Sequence, residues 1–169
     1  MSDTAIDQES LHEESDAARG KHLTFRLANE GYGIAIHHVQ EIIGIMPVTH
    51  VPRSPAYLRG VINLRGKVIP VVDLRLKFGL TGQEDTAMTC IVVVQLTEAG
   101  KPITIGAIVD EVSEVLDIDP GQIEPAPAFG DRVAMSFIKS VAKVGGKVFM
   151  LIDAERALSG LQEEKAGVA

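Results

Sequence analysis

The chain has 169 residues, 46% of them hydrophobic, with one cysteine and a formal net charge of −7. This is apolar content for one core, or for two small modules that share a surface. No run approaches the roughly 18 apolar residues of a membrane span, no basic-then-apolar secretion signal opens the chain, and one thiol cannot close an internal disulfide; a cytoplasmic location is expected.

Residues 1–20 hold six acids and one base, and too little apolar content to fold, so they read as a disordered acidic tail. Strands are expected at Leu23–Ala28, Tyr32–Ile36 and a segment near Val48–Val51. Ser54 to Gly60 reads as one helical turn, with Ser54 as N-cap and Pro55 at the first helical position. The stretch Leu58–Gly79, LRGVINLRGKVIPVVDLRLKFG, is the most informative of the chain. It predicts a hairpin of Gly60–Leu64 and Lys67–Leu74 around Arg65-Gly66, where Gly66 accepts the positive φ of a two-residue turn. Leu74, Leu76 and Phe78 alternate with Arg75 and Lys77, which extends the strand reading. Pro70, having no N–H, places that strand at an edge or breaks it at a bulge. Further strands are expected at Thr89–Leu96, Ile103–Val109, Glu114–Ile118, Lys139–Val144 and Lys147–Ile152. Asp119-Pro120-Gly121 reads as a turn, Asp153 to Leu161 as a short helix, and 163–169 as a flexible end. Charge is two-sided: residues 51–79 hold six bases against Asp73, and residues 81–125 nine acids against Lys101. That distribution suits docking to proteins better than wrapping a polyanion.

The chain repeats itself. GVINLRGKVIPVVD (60–73) aligns without gaps on SVAKVGGKVFMLID (140–153), with five of fourteen residues identical. GIAIHHVQEII (33–43) aligns on GAIVDEVSEVL (106–116), and LTFRL (23–27) on VVVQL (92–96), all in the same order. Two copies of a five-stranded unit, each a small closed barrel, are therefore expected at residues 21–85 and 86–152, with helix 153–162 packing on the first.

Catalytic and metal chemistry find no support in the residues. His37 and His38 are adjacent, so on extended backbone they point apart and cannot chelate together. Asp117-x-Asp119-x-Gly121 lacks the later ligands of a calcium loop. Gly31-Tyr32-Gly33 lacks the third glycine of a dinucleotide loop, and there is no phosphate loop or nucleophile elbow. No cofactor and no enzymatic activity are expected. Cys90 reads as a small core residue. RNA binding by the basic stretch is a remote alternative, opposed by a sequence pI of about 5.2, the absence of Trp and an aromatic content of 4%.

The segment Leu58–Gly79, with YGIAIHHVQEI before it and VDEVSEVLDI after it, resembles the CheW family of bacterial chemotaxis coupling proteins over residues 22–162. The NLRG turn followed by IPVVDLR and KFG carries most of that resemblance. It implies an all-β fold of two SH3-like five-stranded barrels packed together with a hydrophobic groove between them. It also implies a non-catalytic adaptor, monomeric in isolation, that links the cytoplasmic tips of methyl-accepting chemoreceptors to the regulatory domain of the histidine kinase CheA at membrane arrays. A coupling protein of another chemosensory pathway, such as twitching motility, is the nearest alternative. The match points to Val39, Glu41 and Arg65 as protein contacts, and to Val112 and Val115 lining the groove from the second barrel. If their segment is extended, Val39 and Glu41 share a face. Gly60, Gly66 and Gly106 are expected to serve backbone shape or close packing.

Overall fold

The computed structural model describes residues 20–81, 84–126 and 136–158. All but Gly20 of the expected tail at 1–20, residues 159–162 of the expected helix and the expected flexible end at 163–169 lie outside these residues. The described strands are β1 (Lys21–Leu27), β2 (Glu30–Ala35), β3 (Val39–Gly44), β4 (Leu58–Leu64), β5 (Lys67–Asp73), β6 (Cys90–Glu98), β7 (Lys101–Val109), β8 (Glu111–Asp117), β9 (Ile123–Pro125), β10 (Ile138–Val144) and β11 (Lys147–Ile152). Two short helices, α1 (Leu74–Lys77) and α2 (Ala154–Leu158), each follow the last strand of a repeat.

The strands form a six-stranded sheet of order β8-β1-β2-β11-β10-β9 and a five-stranded sheet of order β3-β6-β7-β5-β4. Each sheet takes strands from both halves. β1 and β2 leave their own repeat to pair with β8 and β11, and their counterparts β6 and β7 pair with β3 and β5. The expected division into 21–85 and 86–152 therefore does not describe the sheets, which are exchanged between the repeats. Register confirms the duplication to the residue. The parallel contact of β5 with β7 pairs Val71 with Gly106, and that of β11 with β2 pairs their counterparts Leu151 and Gly33. A Cβ on Gly106 would lie 2.8 Å from the Ile91 side chain, and one on Gly33 2.8 Å from Leu151. Both glycines make room for a side chain of a neighbouring strand, Ile91 of β6 at Gly106 and Leu151 of β11 at Gly33.

The fold is all-β, as expected, but it consists of two packed sheets and not of closed barrels. In the five-stranded sheet the chain leaving β3 returns only as an isolated bridge of Thr49 to Val61 on the opposite edge. The expected strand near Val48–Val51 is reduced to that bridge, and the third strand of the repeat is β3. Gly60 lies against it with φ +150°, and a Cβ there would stand 2.1 Å from the Thr49 carbonyl oxygen. In the six-stranded sheet, three-residue β9 makes the equivalent return onto β10.

Continuous apolar runs are explained by burial on both faces. From β6, Val92, Val94 and Leu96 join the core between the sheets, where Leu23, Phe25 and Leu27 are their counterparts. Ile91 and Val93 point the other way, into a cluster with Ile62, Ile69, Val71 and Ile108. Burying each such side chain stabilises the fold by about 1.5–3 kcal/mol. On the matching face of β1 stand His22 and Thr24, both fully buried, and the third cluster there is reduced to Ile118, Ala142 and Leu151.

Three local expectations are corrected. Leu74–Lys77 is helix and not strand, because the Asp73 carboxylate accepts from the Arg75 amide and caps the turn. Ser54 does not start a helix; its hydroxyl donates to the Val51 carbonyl and β4 begins at Leu58. β5 is internal, yet its parallel contact with β7 runs only from Val71 to Asp73, so Pro70 falls just outside it. The hairpin itself is as expected: Arg65 (φ 51°) and Gly66 (φ 85°) form its two-residue turn, and the Gly66 amide donates to the Asn63 side chain.

Candidate protein-interaction surfaces

Glu41 and Arg65 come together. β3 and the β4–β5 turn lie at opposite edges of the five-stranded sheet, and the Arg65 guanidinium donates to Glu41 Oε2 across that gap. Arg65 remains 70% exposed and Glu41 30%. The other carboxylate oxygen, Oε1, is buried without a hydrogen-bond partner among the described residues. Lys67, two residues past the arginine, donates to Thr104 Oγ1 at 2.9 Å.

Val39 does not share the face of Glu41. A β-bulge between them shifts the register, so that Val39 stands opposite Val94 and Glu41 opposite Val93. Cross-strand partners point to the same side, and those two valines belong to different clusters. Val39 therefore packs on the core between the sheets, while Glu41 faces the other way. Ile42, opposite Val92, is exposed at the rim of that core.

β8 repeats this arrangement on the other sheet. Its bulge places Val112 opposite Phe25 and Val115 opposite Leu23. Val112 packs on the central core, and Val115 stands exposed at its rim, as its counterpart Ile42 does. Thr24 spans the bulge, its hydroxyl donating to the Glu114 carbonyl at 2.7 Å and accepting from the Glu114 amide at 3.2 Å. Glu114 is the counterpart of Glu41, but Gly145 occupies the position of Arg65, so the ion pair belongs to one repeat alone. Val112 and Val115 thus lie on a different sheet from the Glu41–Arg65 pair.

One group of residues went unrecognised in the sequence. Arg75, expected on a strand, is 1% exposed. Its guanidinium holds Asp73 through Nε at 2.9 Å and through Nη2 at 3.0 Å, and Asp110 at 3.0 Å. Asp85 is held by Arg59 at 2.9 Å, and Asp110 accepts from the Ala28 amide at 2.8 Å. The network ties the link between the repeats to the β1–β2 turn. Hydrogen bonds donated to Asp73 raise the Arg75 pKa further, and hydrogen bonds from Arg59 hold the Asp85 carboxyl below its usual range. The signal available was the Asp-Leu-Arg triplet at the end of β5, where a cap and a cation meet.

Histidine and thiol chemistry follows burial. His37 and His38 lie in a 3-10 turn (Ile36–His38), not on extended backbone, and their rings are 4.1 Å apart. Burial holds the His22 imidazole below its ordinary pKa and pushes the half-buried Cys90 thiol up. Among the described residues, no group of histidine, cysteine or carboxylate side chains could hold a metal ion. No described helix is long and apolar enough to cross a membrane.

Comparison with known proteins places the chain in a family. Residues 21–162 match the model of the CheW-like domain. The chain is 38% identical over 137 residues to the chemotaxis protein CheW of Klebsiella aerogenes, covering 81% of this chain and 80% of that protein. It is 32% identical over 146 residues to the chemotaxis protein CheW of Bacillus subtilis, covering 86% and 91%. The crystal structure of the scaffolding protein TtCheW from Thermoanaerobacter tengcongensis superposes with a TM-score of 0.72 at 35% identity, covering 85% of this chain and 92% of that one.

Proposed function

This chain belongs to the CheW family of chemotaxis adaptors, and we propose that it couples the cytoplasmic tips of transmembrane chemoreceptors to the histidine kinase CheA. One observation carries the reading: two chemically different edges are presented by two sheets built on one core. The β3 edge offers Ile42 beside the Glu41–Arg65 ion pair, and the β8 edge offers Val115 without a matching arginine. Two partners can thus dock on separate surfaces of a body whose exchanged strands make it one unit, so that a bias imposed at one surface becomes a coupling free energy at the other. Each edge has the makings of a small interface, an apolar anchor with orienting charge, and neither resembles a substrate pocket.

The test is autophosphorylation of CheA with receptor-containing membranes. Adding this protein should stimulate the kinase strongly, and attractant should then suppress it. Absence of stimulation with cognate partners would overturn the proposal.

A further inference from the structure

The duplication allows each corner of the fold to be compared with its own counterpart. Where β7 passes to β8, Arg75 fills the corner beneath the β1–β2 turn, holding Asp110, which in turn binds the Ala28 amide. The alignments make His37 the counterpart of Asp110 and Gln95 of Arg26, and extending them by one or two residues makes Thr97 the counterpart of Ala28 and Glu155 of Arg75. These four residues line a single cleft of about 440 Å³, together with His38 and Pro102. One corner is filled from within by a guanidinium, and among the described residues no side chain fills its counterpart.

Charge is reversed between them. Glu155 on α2 is exposed, and no partner of its carboxylate is found among the described residues. Arg156, next along the helix, turns to Asp153 at 3.7 Å. His38 Nδ1 lies 3.4 Å from the Gln95 carbonyl oxygen, and the His37 and His38 rings, 4.1 Å apart, both line the cleft. A planar cation fits this set: a carboxylate to take it in bidentate fashion and flat rings on which to stack.

We propose that this cleft receives an arginine side chain of a protein partner, its guanidinium seated at Glu155 as Arg75 is seated at the counterpart corner. The assignment adds a recognition element to the adaptor reading, but its test needs neither kinase nor receptor. N-acetyl-arginine amide is titrated into the ¹⁵N-labelled protein of residues 1–169. Saturable shifts of the Thr97, His37, His38 and Glu155 amides are expected. Glu155→Gln should weaken binding about tenfold, equivalent to about 1.4 kcal/mol, with an unchanged denaturation curve. The proposal is overturned by the absence of saturable shifts, or by equal binding to Glu155→Gln. Shifts that appear only after removal of residues 159–169 would also overturn it, assigning the cleft to the chain's own C-terminal segment.

Discussion

Arg65 and Arg75 belong to one basic stretch and stand in opposite environments. Arg65 is mostly exposed, and an exposed ion pair is worth about 0–1 kcal/mol. Arg65→Ala should therefore leave urea stability within about 0.5 kcal/mol of the parent. If it orients a partner, titration should show affinity for one of the two falling by about 1–2 kcal/mol, with Glu41→Ala as the comparison. Unchanged affinity for both would make the pair a bystander. Arg75→Met removes the cation from between buried Asp73 and half-buried Asp110, and should cost about 3–5 kcal/mol in the same denaturation experiment. His22 gives a pH prediction. Its folded pKa lies below the unfolded value of about 6.5, so the unfolded chain takes up the proton first and stability falls as pH drops below that value. Asp85 contributes in the same direction, but only at pH values below the ordinary carboxylate range. The thermal midpoint should decline between pH 7.5 and 5.5, and His22→Ile, which copies the counterpart Ile91, should flatten that decline. An unaltered slope in the variant would assign it to another group.

At the scale of elements, legibility followed the locality of the cause. The β4–β5 hairpin was readable because a two-residue turn with glycine is specified by its own sequence. The Val39–Glu41 face was misread because a bulge is set by the partner strand, and alternation along one strand carries no trace of it. α1 was missed for a related reason. The alternation of Leu74, Leu76 and Phe78 fits a strand, and only the Asp73 cap with a buried partner for Arg75 turns it into a helix. The candidate contacts Glu41 and Arg65 came from family resemblance, and their pairing across the sheet lay beyond any spacing argument. Gly60 tests the close return of the chain at Thr49. Gly60→Ala should cost about 1–3 kcal/mol in backbone strain alone, measured by urea denaturation. A neutral result would show that the Thr49–Val61 bridge yields at no cost.

For the whole molecule, duplication was readable in the sequence and exchange was not, since an alignment of halves says nothing about which half a strand pairs with. Because each sheet requires both halves, unfolding in urea should be a single transition, coincident by circular dichroism and by intrinsic tyrosine fluorescence. Two separated transitions would mean that the sheets melt independently. For the same reason, fragments 1–83 and 84–169 should remain unfolded apart and fold when mixed, which gel filtration and circular dichroism would report. The parallel contact of β2 with β11 joins residues 31–33 to residues 149–151. On the ribosome, the N-terminal strands therefore emerge long before the partner that completes the middle of their sheet. Until residues 149–151 have been translated, the nascent chain carries unpaired strand edges of a kind that invite other chains. A stop codon ahead of residue 147 would remove an inner strand, so the native state becomes reachable only once β11 has been made.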